Sequence, residues 1–343
     1  MLLSLLLGLA VGLPLGYALS RGGFCVNTAF RSILFERERS TLRAYVLVLA
    51  INLVAVNLLD ELRVITITRP PFAWLASSIG GFVFGAGMVL GGGCMSGSCY
   101  RAGRGALGSL AALAGFALGA SAVTVGALAP LRAALSRQVW DIQGEEATLA
   151  NLIAPGAGWV RWAVIGVLVV AAALWLSRSP RSRFTVGWDW RVTGAVVGLL
   201  ATLAWVASGF TGRDYGLSFT QPIVSIVSYI TAGDDSGIGW PTFVLLGVPV
   251  GSLLAAARGK ELGLKLPSPS RLVGQAAGGI LMGMGAGVAG GCNIGHGITG
   301  VSTLALSSIV ATLATMLGVW SMTAIVYARE RARPVASAAT ARG

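Results

Sequence analysis

The sequence predicts an all-α polytopic membrane protein: about nine transmembrane helices plus short re-entrant helices, in two inverted pseudo-symmetric halves. Three observations predict it: scarce charge, nine apolar segments of spanning length, and a glycine–cysteine motif that occurs twice. Of 343 residues, 55% are apolar and 11% charged, whereas a soluble domain carries about 25% charged residues. Mean hydropathy is +0.77. This balance excludes a disordered chain, a collagen-like chain and an ordinary soluble enzyme. Four cysteines are too few for a disulfide scaffold, and a single histidine excludes a His-rich metal site.

About 20 apolar residues cross the hydrocarbon core. The segments that qualify are 1–19, 43–59, 74–93, 105–129, 159–178, 189–208, 240–258, 271–290 and 301–327. Segment 1–19 has no basic n-region and runs straight into Arg21, so it is read as a retained span rather than a signal peptide. Segment 43–59 is the shortest and carries Asn52 and Asn57. Stretches 26–35 and 221–231 are apolar but too short to cross, which suits re-entrant or interfacial helices. Thr220 is a candidate cap for the second, with Pro222 in its first turn, and Asp189 is a candidate cap for segment 189–208. Trp74, Trp159, Trp162, Trp188, Trp190, Trp240 and Trp320 fit interfacial belts.

Net charge of +12 would suggest nucleic acid in a soluble chain. Here the basic residues follow topology. With the N-terminus outside and the spans alternating, inner regions hold 19 of the 25 Lys and Arg. The remaining six are Arg63, Arg69, Arg132, Arg137, Arg161 and Arg213, and Asp60, Glu61, Asp141, Glu145, Glu146, Asp234 and Asp235 fall outside with them. The C-terminus is then cytoplasmic, and no nucleic-acid partner is expected.

Residues 80–97, Gly80-Gly-Phe-Val-Phe-Gly-Ala-Gly-Met-Val-Leu-Gly-Gly-Gly-Cys94-Met-Ser-Gly97, align with 278–295 at a constant offset of 198. Eight positions are identical, seven glycines and the pair Cys94/Cys292. A weaker match sets Gly16–Cys25 against Ser208–Leu217, with Leu217 in the place of Cys25. The expected organisation is one membrane domain, 1–343. It comprises a first repeat 1–129, a linking helix 159–178, a second repeat 189–327 and a basic cytoplasmic tail 328–343. The odd linking helix reverses the second half, so the Cys94 loop sits toward the inside and the Cys292 loop toward the outside.

Segments Gly91–Arg101 and Gly290–Gly300 are too rich in glycine for ordinary membrane helix. Irregular backbone at membrane depth must be buried in protein or line a cavity. Amides at Gly93, Gly291 and Gly295, and the positive ends of the following helices, are expected to face that cavity. Arg21, Arg101 and Arg104 lie near the inner mouth and Arg213 near the outer one, either setting topology or attracting an anion. A thiol is a small polarizable donor that adds no fixed charge. Cys25, Cys94 and Cys292 are therefore candidate substrate contacts, as neutral donors or through transient sulfur exchange. Cys99 suits a buried hydrophobe equally well. Asn293 either braces the loop or touches the ligand, and His296 makes a structural hydrogen bond or takes part in gating. Glycines at three- and four-residue spacing in 80–93 and 278–291 suit helix packing. Cys94 and Cys99 lie five apart with no matching pair, so no metal is expected. Nor is a cofactor: there is no Ser-His-Asp set and no phosphate loop with a lysine.

On Arg21-Gly-Gly-Phe-Cys25, Gly92-Gly-Cys94-Met-Ser-Gly97 and Gly291-Cys292-Asn-Ile-Gly295, the chain resembles the YeeE/YedE family of membrane proteins, the sulphur transport family. The resemblance covers nearly the whole chain. It implies nine spans plus short helices with an hourglass outline, and thiosulfate import across a bacterial inner membrane. It also implies that the ion meets Cys25, Cys94 and Cys292 in turn. Other members are linked to selenium metabolism, and some work beside a small soluble sulfur-carrier protein, a potential cytoplasmic partner. Nothing after residue 327 looks like such a carrier domain. The competing readings are a membrane sulfurtransferase using a persulfide, and a metal channel with cysteine ligands. The arginines and helix N-termini oppose the channel.

Overall fold

A computed structural model describes residues 1–36, 38–142, 144–179 and 187–332, with side chains to residue 328. The helices, in chain order, are α1 Leu2–Gly22, α2 Val26–Leu34, α3 Ser40–Glu61, α4 Trp74–Leu90, α5 Met95–Gly103, α6 Leu107–Thr124 and α7 Ala129–Leu135. They continue as α8 Leu149–Ile153, α9 Gly158–Ser177, α10 Trp190–Gly209, α11 Thr220–Ala232, α12 Trp240–Arg258, α13 Pro269–Ala289 and α14 Leu306–Ala332. A π-helical turn, Gly295–Gly300, stands between α13 and α14. A two-residue antiparallel ribbon pairs Phe72 with Trp140 and Ala73 with Val139. Among the described residues nine helices are long and apolar enough to cross a membrane: α1 continuing into α2, α3, α4 continuing into α5, α6, α9, α10, α12, α13 and α14. The protein is an all-α polytopic membrane protein. The basic tail lies outside the described residues beyond Ala332, as does most of the 179–188 connection.

Helices in lipid gain little from burying apolar surface against one another, so close backbone approach through small residues holds them together. Gly8, Gly12 and Gly16 of α1 lie on the α12 backbone from Trp240 to Val248. Gly279 and Gly283 of α13 lie on α6 at Ala112 and Phe116. Gly81 and Gly85 of α4 lie on α14 at Ala311 and Thr315. These three pairs run parallel, and α3 follows α10 in the same sense, with Gly194 at Ala44 and Gly198 at Ile51. Helices α4 and α13 instead cross antiparallel: Gly80 meets Gly285 and Ala289, and Gly87 meets Gly278 and Met282. At most of these glycines an added Cβ would strike backbone, which has no rotamer to yield. The repeated glycines thus serve packing, as their spacing suggests. The most extensive pairings all join a helix before residue 130 to one after residue 189.

Helix α3 runs longer than its apolar segment, and its asparagines face protein rather than lipid. Asn52 Nδ2 donates to the carbonyls of Val48 (3.0 Å) and Gly198 (3.1 Å), and Asn57 Nδ2 to Leu53 (2.8 Å) and Ser302 (2.8 Å). Each thereby clamps α3 to a chain segment from beyond residue 189. The linking helix α9 lies against α3, where Arg161 pairs with Asp60 at 2.8 Å and also with Glu61.

Three local expectations are corrected. Trp190 and Trp240 are only 5% and 1% exposed, whereas Trp74 and Trp159 are 44% and 73% exposed. The first two are core residues, because each opens a helix whose first turn is covered by its neighbours. Asp189 does cap α10, accepting from the Arg191 amide at 2.8 Å. Thr220 does not cap α11: the cap position is Phe219, and the Thr220 hydroxyl is buried without a partner. Finally, the glycine-rich segments are irregular only at 91–94 and 290–294; beyond these points they wind into α5 and the π-helical turn.

Candidate functional site

Two short helices bring two thiols together. Helix α1 ends at Gly23 in the left-handed conformation (φ 57°), and the chain turns back into α2 with Cys25 at its N-cap. Helix α4 ends at Gly91, and Gly92 takes φ 76°, a left-handed value that favours glycine. The chain then enters α5 with Cys94 at its N-cap. Both thiols therefore stand at the positive end of a helix. Their Sγ atoms are 3.4 Å apart. Cys94 Sγ also accepts from the Gly97 amide (3.3 Å) and lies 3.3 Å from Ser96 Oγ.

Arg101, two turns into α5, folds back over this pair. Its Nε donates to the Gly97 carbonyl (2.9 Å), Nη1 to the Gly92 carbonyl (2.7 Å) and Nη2 to Cys25 Sγ (3.8 Å). Gly93 and Gly97 leave room for this: a Cβ on Gly93 would occupy the guanidinium position, and one on Gly97 would lie 2.9 Å from Cys25 Sγ. Gly93 serves the site in that way; its amide donates to the Met88 carbonyl at 2.9 Å and closes α4. Among the described residues neither Arg101 nor Arg213 has a carboxylate partner, whereas Arg21 (3.7 Å) and Arg104 (2.5 Å) share Glu261. The positive charge at this mouth is thus concentrated on Arg101.

The second loop repeats the backbone and changes the side chains. Gly290 has φ 84°, matching Gly92 at the offset of 198. Cys292 follows, 1% exposed, in the same contiguous core as Cys25, Cys94 and Cys99. All four cysteines are free thiols. Where α5 carries Arg101, the π-helical turn carries Thr299, whose hydroxyl donates to the Leu217 carbonyl (2.8 Å). Tyr45 Oη donates to the Gly297 carbonyl (2.6 Å) and Tyr215 Oη to that of Gly295 (2.9 Å), pinning the turn from α3 and from the loop before α11. Gly291 lies under the His296 ring.

His296 has both ring nitrogens engaged, Nε2 with the Ala289 carbonyl (2.9 Å) and Nδ1 with Ser308 Oγ (2.9 Å). A carbonyl only accepts, so Nε2 carries a proton and the ring braces α13 against α14. Asn293 braces nothing: it is 4% exposed, and neither end of its amide has a hydrogen-bond partner. Tyr45, Tyr215, Ser96 and Gly97 belong to the site but escape sequence reasoning. For Gly97 a signal existed, since it is one of the eight positions shared by the two copies.

A multi-pass helical membrane protein with reduced thiols at paired helix N-termini, one of them under an arginine, is the class that fold and site define. The sulphur transport family model matches residues 21–321, and the chain belongs to that family. It is 32% identical to the thiosulfate transporter TsuA of Escherichia coli K12, covering 98% of each chain. It is 33% identical to the thiosulfate transporter TsuA of Spirochaeta thermophila, over 94% of this chain and 99% of the relative. A shorter likeness, 32% over 100 residues, links it to the probable transporter YedE of E. coli K12.

Proposed function

We propose that the chain imports thiosulfate across a bacterial inner membrane along a path that brings the ion to Cys25, Cys94 and Cys292. The observation that carries this reading is the Cys25–Cys94 contact of 3.4 Å at two helix N-termini, with Arg101 Nη2 on Cys25. Neutral thiols donate S–H hydrogen bonds to the ion and meet its terminal sulfur without placing a fixed charge in the membrane. Arg101 and the helix ends supply the attraction for the dianion. The two full-length relatives named as thiosulfate transporters support the choice of ion.

The halves are inverted copies in this reading. Exchange of partners across α4 and α13 supports it: Gly80 meets the counterpart of Gly87, and Gly87 meets the counterpart of Gly80. A two-fold axis in the membrane plane produces such a contact. The bias of Lys and Arg toward one set of loops supports an external N-terminus and a cytoplasmic C-terminus. A small cytoplasmic sulfur-carrier protein would then receive the sulfur on the basic side.

Uptake of labelled thiosulfate into proteoliposomes tests the reading. Intact labelled ion is expected inside, and Cys292→Ala is expected to abolish uptake while the protein still inserts. Sulfite left outside with labelled sulfur on the protein would replace import by a sulfurtransferase activity. Competition by sulfate, sulfite and selenite identifies the preferred ion.

A further inference from the structure

A cavity of about 10 Å³ lies beside Cys292, bounded by Phe30 and Phe84 and by Gly291, Asn293, His296 and Thr312. Three buried polar atoms around it have no protein partner: Asn293 Nδ2, Asn293 Oδ1 and Thr312 Oγ1. Their neighbours differ. Thr315, one turn further along α14, donates its hydroxyl to the Ala311 carbonyl at 2.7 Å, and His296 has both nitrogens engaged. Leaving an amide and a hydroxyl unpaired in a buried site costs roughly 1–3 kcal/mol each unless a ligand or water completes them. The two donors and the Cys292 thiol converge on one space walled by aromatic rings, where hydrogen bonds gain strength from the low dielectric.

The geometry points to a two-ended binding site, which rests on the transport reading above. Cys292 takes the sulfur end of the ion, and Asn293 Nδ2 with the Thr312 hydroxyl takes an oxygen of its oxyanion end. The cavity has the volume of one water-sized group, so it accepts a single oxygen rather than a whole ion. Sulfate offers oxygens and no terminal sulfur. A simple sulfide or thiol offers sulfur and no oxyanion. An ion carrying both ends satisfies both sets of groups, and a site built around polar partners discriminates strongly against a ligand that leaves them unpaired.

The test combines calorimetric binding of thiosulfate to the purified full-length protein with uptake into proteoliposomes. Asn293→Ala and Thr312→Val are expected to weaken binding about tenfold or more, the range for a lost hydrogen bond to a charged group. Thr312→Ser is expected to bind like the unaltered protein. A packing role for Thr312 would give the reverse order, since valine keeps the shape and serine keeps the donor; that order would overturn the proposal. Unchanged affinity in Asn293→Ala, with normal uptake by the unaltered protein, would remove this inference alone. Absence of both binding and uptake in the unaltered protein would remove the transport reading and this site with it.

Discussion

Arg101 makes three different contacts with one guanidinium, to the Gly97 and Gly92 carbonyls and to Cys25 Sγ. A lysine ammonium is a point charge on a flexible stem and cannot hold that planar arrangement. Arg101→Lys is therefore expected to lower thiosulfate uptake at least ~10-fold despite the retained charge, the scale of one lost charge-assisted hydrogen bond; uptake equal to the unaltered protein would show that charge alone suffices. Cys99→Ala is expected to be mild, because the Cys99 thiol makes none of the hydrogen bonds that join Cys25, Cys94, Ser96 and Arg101. Normal uptake rates in that variant check it, and complete loss would place Cys99 in the path. At this scale the sequence was partly legible. Cysteine next to repeated glycine marks Cys94 and Cys292, since chance seldom aligns a rare residue with seven glycines. The roles of Asn293 and His296 were not legible. Whether a polar group finds a partner depends on Ser308, Ala289 and Thr312, which meet it only after α13 and α14 have packed.

The helices were readable because spanning length and low charge are local properties of the chain. Two features were not. Glycine density argued against helix at 95–103 and 295–300, yet both wind up, since tertiary packing there outweighs a propensity cost of about 1 kcal/mol per glycine. Trp190 and Trp240 resembled belt residues because composition does not tell a lipid-facing turn from a protein-facing one. Packing glycines also divide into two kinds. Gly85 has the Thr315 backbone against it, whereas Gly166 of α9 has nothing within 4 Å. Gly85→Leu is expected to abolish the folded protein, read as loss of a monodisperse peak in detergent. Gly166→Ala is expected to leave the melting temperature unchanged or to raise it, with a gain of up to roughly 1 kcal/mol from helix propensity. A folded Gly85→Leu protein would contradict the α4–α14 contact.

Across the whole molecule, the principal helix pairings join the first part of the chain to the last: α1 with α12, α3 with α10, α4 with α13 and α14, and α6 with α13. Periodicity in sequence reveals that two stretches are alike, but not which helix each will touch, so this interleaving could not be read in advance. It carries a test. A fragment ending at residue 156 is expected to be protease-sensitive and polydisperse when made alone. Co-expression with residues 157–343 is expected to restore a stable complex, seen by size-exclusion chromatography. A well-behaved N-terminal fragment would contradict the dependence of each part on the other.

The same interleaving bears on biosynthesis. When α6 leaves the ribosome, the glycine grooves of α1, α4 and α6 still lack the helices that fill them, and α13 and α14 emerge last. The nascent protein must therefore reside in the bilayer as loosely associated spans for most of its translation. The paired thiols at residues 25 and 94 come from the part made first, while Cys292 joins them only as synthesis ends. Premature termination anywhere before α14 yields a chain with part of its site assembled and no closed core, a species that membrane quality control must recognise and remove.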